Sequence, residues 1–118
     1  LALPLHEADE NQSVYPRLRA ALAAAGAQLE AEANQAMVDQ HVEIDKLVAV
    51  LLPQWAELPQ HPENAAATAA TAAQLEAAWK EHLELEERVV FPALRSHLSR
   101  GDRDAIRQEM SQRRQLQG

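Results

Sequence analysis

The chain has 118 residues, room for one domain with a modest core, and its 47% hydrophobic and 25% charged content is that of a globular protein. It contains no cysteine, which excludes disulfide scaffolds, thiolate zinc sites, iron–sulfur clusters and cysteine nucleophiles together. A net charge of −7 argues against nucleic-acid or anionic-membrane partners, and no apolar run approaches the roughly 18 residues of a membrane helix.

Alanine and leucine dominate, and no stretch alternates with period two, so the expected elements are helices. The first runs from about Leu3 to Ala25 and ends at Gly26, where a missing Cβ suits a helix C-terminus. The second runs from about Gln28 to Trp55, with Pro53 near its end. Its stripe of Met37, Ile44, Val48, Leu51 and Trp55 follows helical spacing. The two prolines between Glu57 and Pro62 mark a connecting loop. A third helix is expected from about Glu63 to Leu98, opening with the alanine-rich stretch from Ala65 to Ala73. Gly101 is expected to stop it, and Asp102 to cap a short final helix from about Arg103 to Arg114. The arginines of the tail, with acids interspersed, read as a solvated face. Three long helices with short connections and a short tail (102–118) predict a single all-α domain over 1–118, an up-down antiparallel bundle.

A repeat offset by 76 residues carries the chemistry. His6 aligns with His82, Glu10 with Glu86, Val14 with Val90, Tyr15 with Phe91, and Pro16 with Pro92. One His-x3-Glu means little. Two copies in a shared frame, each ending in a proline that helices usually avoid, are far more specific. The prolines each delete a backbone hydrogen bond, to the carbonyls of Gln12 and Arg88, and predict a kink just past each motif.

Residues four apart share one face of a helix, so His6 projects with Glu10 and His82 with Glu86. Both pairs fall in apolar stripes: Leu3, Val14 and Leu18 around the first, Leu75, Trp79, Val89 and Ala93 around the second. The second helix places His41 between Met37 and Ile44, with Asp45 at i+4. A carboxylate in a core stripe must neutralise, pair or bind a cation. Three histidines and at least two glutamates aimed at one interior predict a metal site. Without thiolates, the donor set suits iron, manganese or zinc, and two ions bridged by glutamate fit the inventory better than a single crowded zinc. The alternative is a metal-free bundle in which Glu86 pairs on the surface with Arg88 or Lys80. His61 and His97 have no partners at ligand spacing and are expected to be ordinary surface residues.

These residues resemble the hemerythrin-like HHE cation-binding domains, over nearly the whole chain. The shared features are His6 to Glu10 followed by Tyr15-Pro16, His41 followed by Asp45, and His82 to Glu86 followed by Phe91-Pro92. Met110 followed by Arg113 and Arg114 is similar to the segment that closes such domains. The resemblance implies a four-helix bundle around a non-haem di-iron centre that binds dioxygen, nitric oxide or iron. It implies His6, His41 and His82 as terminal ligands and Glu10 and Glu86 as bridging ligands, with Glu7, Asp45 and Glu87 at positions that are ligands in some relatives. Binding, carrying or sensing is therefore expected rather than turnover. Peroxide or nitric oxide detoxification at the same centre, and a metal-free interaction module, are the alternatives. The family also begins with a further histidine-bearing helix. Five ligands and an oxo or hydroxo bridge leave two six-coordinate irons short of their roughly twelve positions. Since the chain starts at Leu1 and not Met, a preceding helix is expected, or a second copy that completes the bundle. With no signal peptide visible, the default compartment is the cytoplasm.

Overall fold

The computed structural model describes residues 2–117; the side chains of residues 2, 3 and 117 lie outside it, and with them the expected place of Leu3 on the first apolar stripe. Four helices follow one another, with no strand among the described residues. Helix α1 covers residues 2–25, α2 Gln28–Glu57, α3 residues 65–97, and α4 Arg100–Gln117. The α1–α2 turn is tight because Gly26 takes the left-handed conformation (φ +69°), which lets the Ala27 amide reach back to the Leu22 carbonyl at 3.0 Å. A short turn of 3-10 helix, Pro62–Asn64, leads from the proline loop into α3.

Neither proline kinks its helix by simple loss of a bond. In α1 the segment Asp9–Val14 is π-helix, and in α3 so is Glu86–Val90. The Tyr15 amide bonds to the Glu10 carbonyl and the Phe91 amide to the Glu86 carbonyl, five residues back instead of four. Pro16 and Pro92 have no N–H, and their rings would collide with the carbonyl four residues earlier. A wider turn removes that collision and keeps the chain helical. It also advances the helical phase by one residue. Tyr15, five residues after Glu10, is therefore buried where a regular helix would bury Val14, which is only partly covered; in α3 the buried residue is Val90, four after Glu86, and Phe91 stays 41% exposed.

The core lies at the end of the bundle where α1 finishes. Tyr15, Leu18 and Leu22 of α1 pack with Met37 of α2, Val90 and Ala93 of α3, and Leu98 and Ile106 at the start of α4. The other end is different. Helix α2 continues about 24 Å past His41, accompanied by the N-terminal half of α3. No helix among those described lies over that pair. The stripe predicted along α2 is accordingly buried at Met37 and Ile44 but has emerged at Trp55, which is 67% exposed. The Cα atoms span 53 × 35 × 16 Å, a slab rather than a cylinder.

The tail differs from its expected form. Gly101 does not stop α3; the break comes at Leu98, whose backbone is extended (ψ 132°), and Gly101 lies inside α4. Ser99, not Asp102, supplies the cap, its Oγ accepting from the Asp102 amide at 3.0 Å. Nor are the arginines merely solvated. Arg113 and Arg114 donate to buried Asp9 at 3.0 and 2.8 Å, and Glu109 accepts from Ser13 at 2.6 Å and from Arg17 at 2.6 and 3.0 Å. With Met110 against the core, these pairs dock α4 antiparallel to α1 along the flank carrying Asp9, Ser13 and Arg17. No helix of the described residues is long and apolar enough to cross a membrane.

Candidate metal centre

The phase shift and the antiparallel packing of α1, α2 and α3 set five donor side chains around one point. Two overlapping groups result: Glu10, His41 and His82, all buried, and His6, Glu10 and Glu86, of which His6 is exposed. Glu10 belongs to both. Its Oε1 lies 2.9 Å from His6 Nε2 and 3.4 Å from His41 Nε2. His41 Nε2 is 3.2 Å from His82 Nε2, and the latter 3.5 Å from Glu86 Oε1. Glu86 is thus inside the bundle beside His82, not on the surface with Arg88 or Lys80.

The histidines are held from behind. His41 Nδ1–H donates to Asn11 Oδ1 at 3.0 Å, and His82 Nδ1–H donates to Gln40 Oε1 at 2.9 Å. With the proton on Nδ1, each imidazole turns a bare Nε2 lone pair toward the other. Two lone pairs 3.2 Å apart repel unless a proton or a metal ion lies between them. The same need shows at the carboxylates: Glu10 Oε1 and Glu86 Oε1 are buried, and the groups nearest to them are the imidazole Nε2 atoms of His6, His41 and His82 rather than well-aligned amide or hydroxyl donors. Neighbouring donors on one ion with bonds of about 2.1 Å stand roughly 3 Å apart, close to the nitrogen separation found here. The donor set therefore fits a metal, and its imidazole–carboxylate chemistry suits iron, manganese or zinc.

Ionisation points the same way. Burial pushes Glu10 upward, but hydrogen bonds with His41, Glu86 and Tyr15 and the nearby His6 outweigh it and bring the carboxyl down to about 2. Glu86 is raised by burial and by Glu10, only partly offset by His82. Without a cation one carboxylate ionises at the expense of the other. His41 is lowered by burial and lifted further by Glu10, for a net rise.

The remaining sequence candidates lie beside this point. Glu7 is buried next to Asp45 and held up to about 7, by burial first and then by its hydrogen bond to that carboxyl. Glu87 is exposed, and neither donor group includes Glu7, Asp45 or Glu87. His61 pairs with exposed Glu63, at 3.1 Å. The supporting residues Asn11, Gln40 and Tyr15 were missed by sequence reasoning. Asn11 and Gln40 have no motif of their own. Tyr15 stood in the repeated aromatic-Pro pair, but that pair does not by itself say that the residue faces inward, since Phe91 before Pro92 is 41% exposed. Its hydroxyl donates to Glu10 Oε2 at 2.7 Å; burial, and then Glu10, push its own ionisation upward, so it stays a donor.

Compared with models of known families, the chain matches the hemerythrin HHE cation binding domain over residues 1–94 and again over 32–115. Both windows contain His41 and the His82–Glu86 motif; the first alone includes His6 and Glu10. No curated protein and no solved structure gives a significant match. The chain belongs to the hemerythrin HHE cation-binding family.

Proposed function

We propose that this member of the hemerythrin HHE cation-binding family holds two non-haem metal ions, iron first among them, with His6, Glu10, His41, His82 and Glu86 as ligands, and binds, carries or senses dioxygen, nitric oxide or iron through that centre. The observation that carries the reading is the pair of facing imidazole nitrogens 3.2 Å apart beside the buried Glu10 Oε1 and Glu86 Oε1, which with His6 make five groups from three helices gathered where a cation would take up their lone pairs. Iron ions, when bound, supply reversible redox chemistry and coordination positions for a diatomic molecule. The chain's own residues do the rest. Asn11 and Gln40 fix the tautomers of His41 and His82, Tyr15 holds Glu10, and the core beside them keeps water from the buried corner.

A second reading, turnover of peroxide or nitric oxide at the same centre, is favoured by one feature. The His6 side chain is 51% exposed, so solvent and small molecules meet the site at that edge. Anaerobic loading with ferrous iron, followed by metal analysis, tests the first reading: about two ions per chain are expected, and fewer than about 0.2 per chain with unchanged stability refutes it. Absorption bands that bleach on reduction and return with oxygen support binding or sensing; repeated consumption of peroxide supports turnover.

A further inference from the structure

The two halves of the repeat are not equivalent where the carboxylates are held. At matched positions five residues after each glutamate stand Tyr15 and Phe91. Tyr15 is 2% exposed and its hydroxyl occupies Glu10 Oε2 at 2.7 Å. Phe91 is 41% exposed and has no hydroxyl to offer Glu86. Glu10 belongs to both donor groups and its Oε2 already accepts the Tyr15 hydrogen bond, whereas the matched position beside Glu86 offers no hydroxyl. A carboxylate oxygen that accepts a hydrogen bond keeps a second lone pair but is held in place and is a weaker donor to a metal ion than its free neighbour. The histidines differ too: His41 and His82 are buried and braced by Asn11 and Gln40, and His6 is half exposed.

We propose that Tyr15 divides the centre into two unequal metal positions: with Oε2 of Glu10 held by the Tyr15 hydroxyl, Glu10 offers Oε1 first, and the buried His41–His82–Glu10 corner fills before the His6–Glu10–Glu86 corner. The inference rests on the metal-binding reading above and adds an order of filling and the residue that imposes it. Preorganised donors hold an ion more tightly than a mobile, solvated one. The first ion therefore takes the braced imidazoles, and the second depends on His6, on Glu86 and on an oxygen of Glu10 that is already in use.

The test is anaerobic titration of the full metal-free chain with Co²⁺ by absorption and with Mn²⁺ by electron paramagnetic resonance, with bound metal counted. In the unsubstituted chain the first equivalent should bind at least about tenfold more tightly than the second, and one equivalent of Mn²⁺ should give the spectrum of isolated ions. Tyr15→Phe keeps the buried ring and frees Oε2. The gap should shrink to within about threefold, and one equivalent of Mn²⁺ should then give a clear share of coupled pairs alongside isolated ions and empty chains. His6→Ala supplies a second readout that does not depend on Tyr15: one ion should remain at its original affinity, while His41→Ala should remove the tight ion. Two ions of equal affinity in the unsubstituted chain, a gap unaltered in Tyr15→Phe, or loss of the tight ion in His6→Ala overturns the inference while leaving metal binding intact. Absence of any bound metal overturns the proposed function itself.

Discussion

Replacing His82 by alanine separates a metal ligand from a packed core residue, because the two roles predict different dependence on metal. His82 is fully buried, donates through Nδ1 to Gln40, and sets Nε2 against His41 and Glu86 at 3.2 and 3.5 Å. In the metal-free chain its removal leaves a cavity and strands Gln40, a loss of about 2–4 kcal/mol on the usual scale for large-to-small changes. It also removes a lone pair held against another lone pair, which returns roughly 1–2 kcal/mol. The net metal-free cost is then about 0–3 kcal/mol. With metal at about a hundred times its dissociation constant, the unsubstituted chain gains about 2.7 kcal/mol that the variant forgoes, so the difference widens to about 3–6 kcal/mol. Urea unfolding followed by helical circular dichroism, with and without metal, measures both differences in one pair of experiments. His97→Ala, at a position outside both donor groups, serves as the control and should shift neither curve by more than about 0.5 kcal/mol. A His82→Ala cost that is the same with and without metal, or equal effects from the two substitutions, would refute the ligand reasoning.

Other consequences can be measured separately. Pro16→Ala restores the missing amide and lets α1 close a regular turn across Gln12, rotating Tyr15 out of phase; metal affinity should fall about ten- to a hundredfold while helical content holds. The clasp on α4 should depend on acid. Hydrogen bonds from Arg17 and Ser13 lower Glu109 to about 2, against a usual value of 4.5, so its contribution is complete above pH 4.5 and disappears as pH falls toward 2. Amide exchange of residues 100–117 should stay slow from pH 8 to 5 and quicken on further acidification relative to the intrinsic rate, whereas Glu109→Gln should weaken that dependence and leave the part carried by Asp9 with Arg113 and Arg114; an unaltered profile in the variant contradicts the clasp. In the core, Leu18→Ala should cost about 2–5 kcal/mol, whereas Trp55→Ala on the uncovered part of α2 should stay within about 1 kcal/mol, both read from urea midpoints.

Much of this architecture was present in the residue order. Helical periodicity, Gly26 and the proline loop mark out α1, α2 and α3 within a few residues, because caps and breakers act over single turns. The doubled His-x3-Glu frame and His41 pick out five side chains that the fold then brings together, because i,i+4 spacing puts a pair on one face and the apolar neighbours say which face is inside. Other features depended on contacts between distant residues. The proline pair indicated a disturbance without its form; only the packed helices show that it becomes a π turn, and that Tyr15 rather than Val14 then faces Glu10. The arginines of α4 looked solvated because their partner Asp9 is about a hundred residues away and, one position before Glu10, carried no signal of its own. The absence of cysteine, which at first only excluded chemistry, leaves imidazole and carboxylate as the donors on offer. Composition and spacing, being local, therefore determined which groups can meet a metal. Which oxygen of Glu10 is free, which histidines are braced and which edge meets water were decided by tertiary packing, since each depends on a neighbour from another helix or from a turn whose phase the sequence does not display.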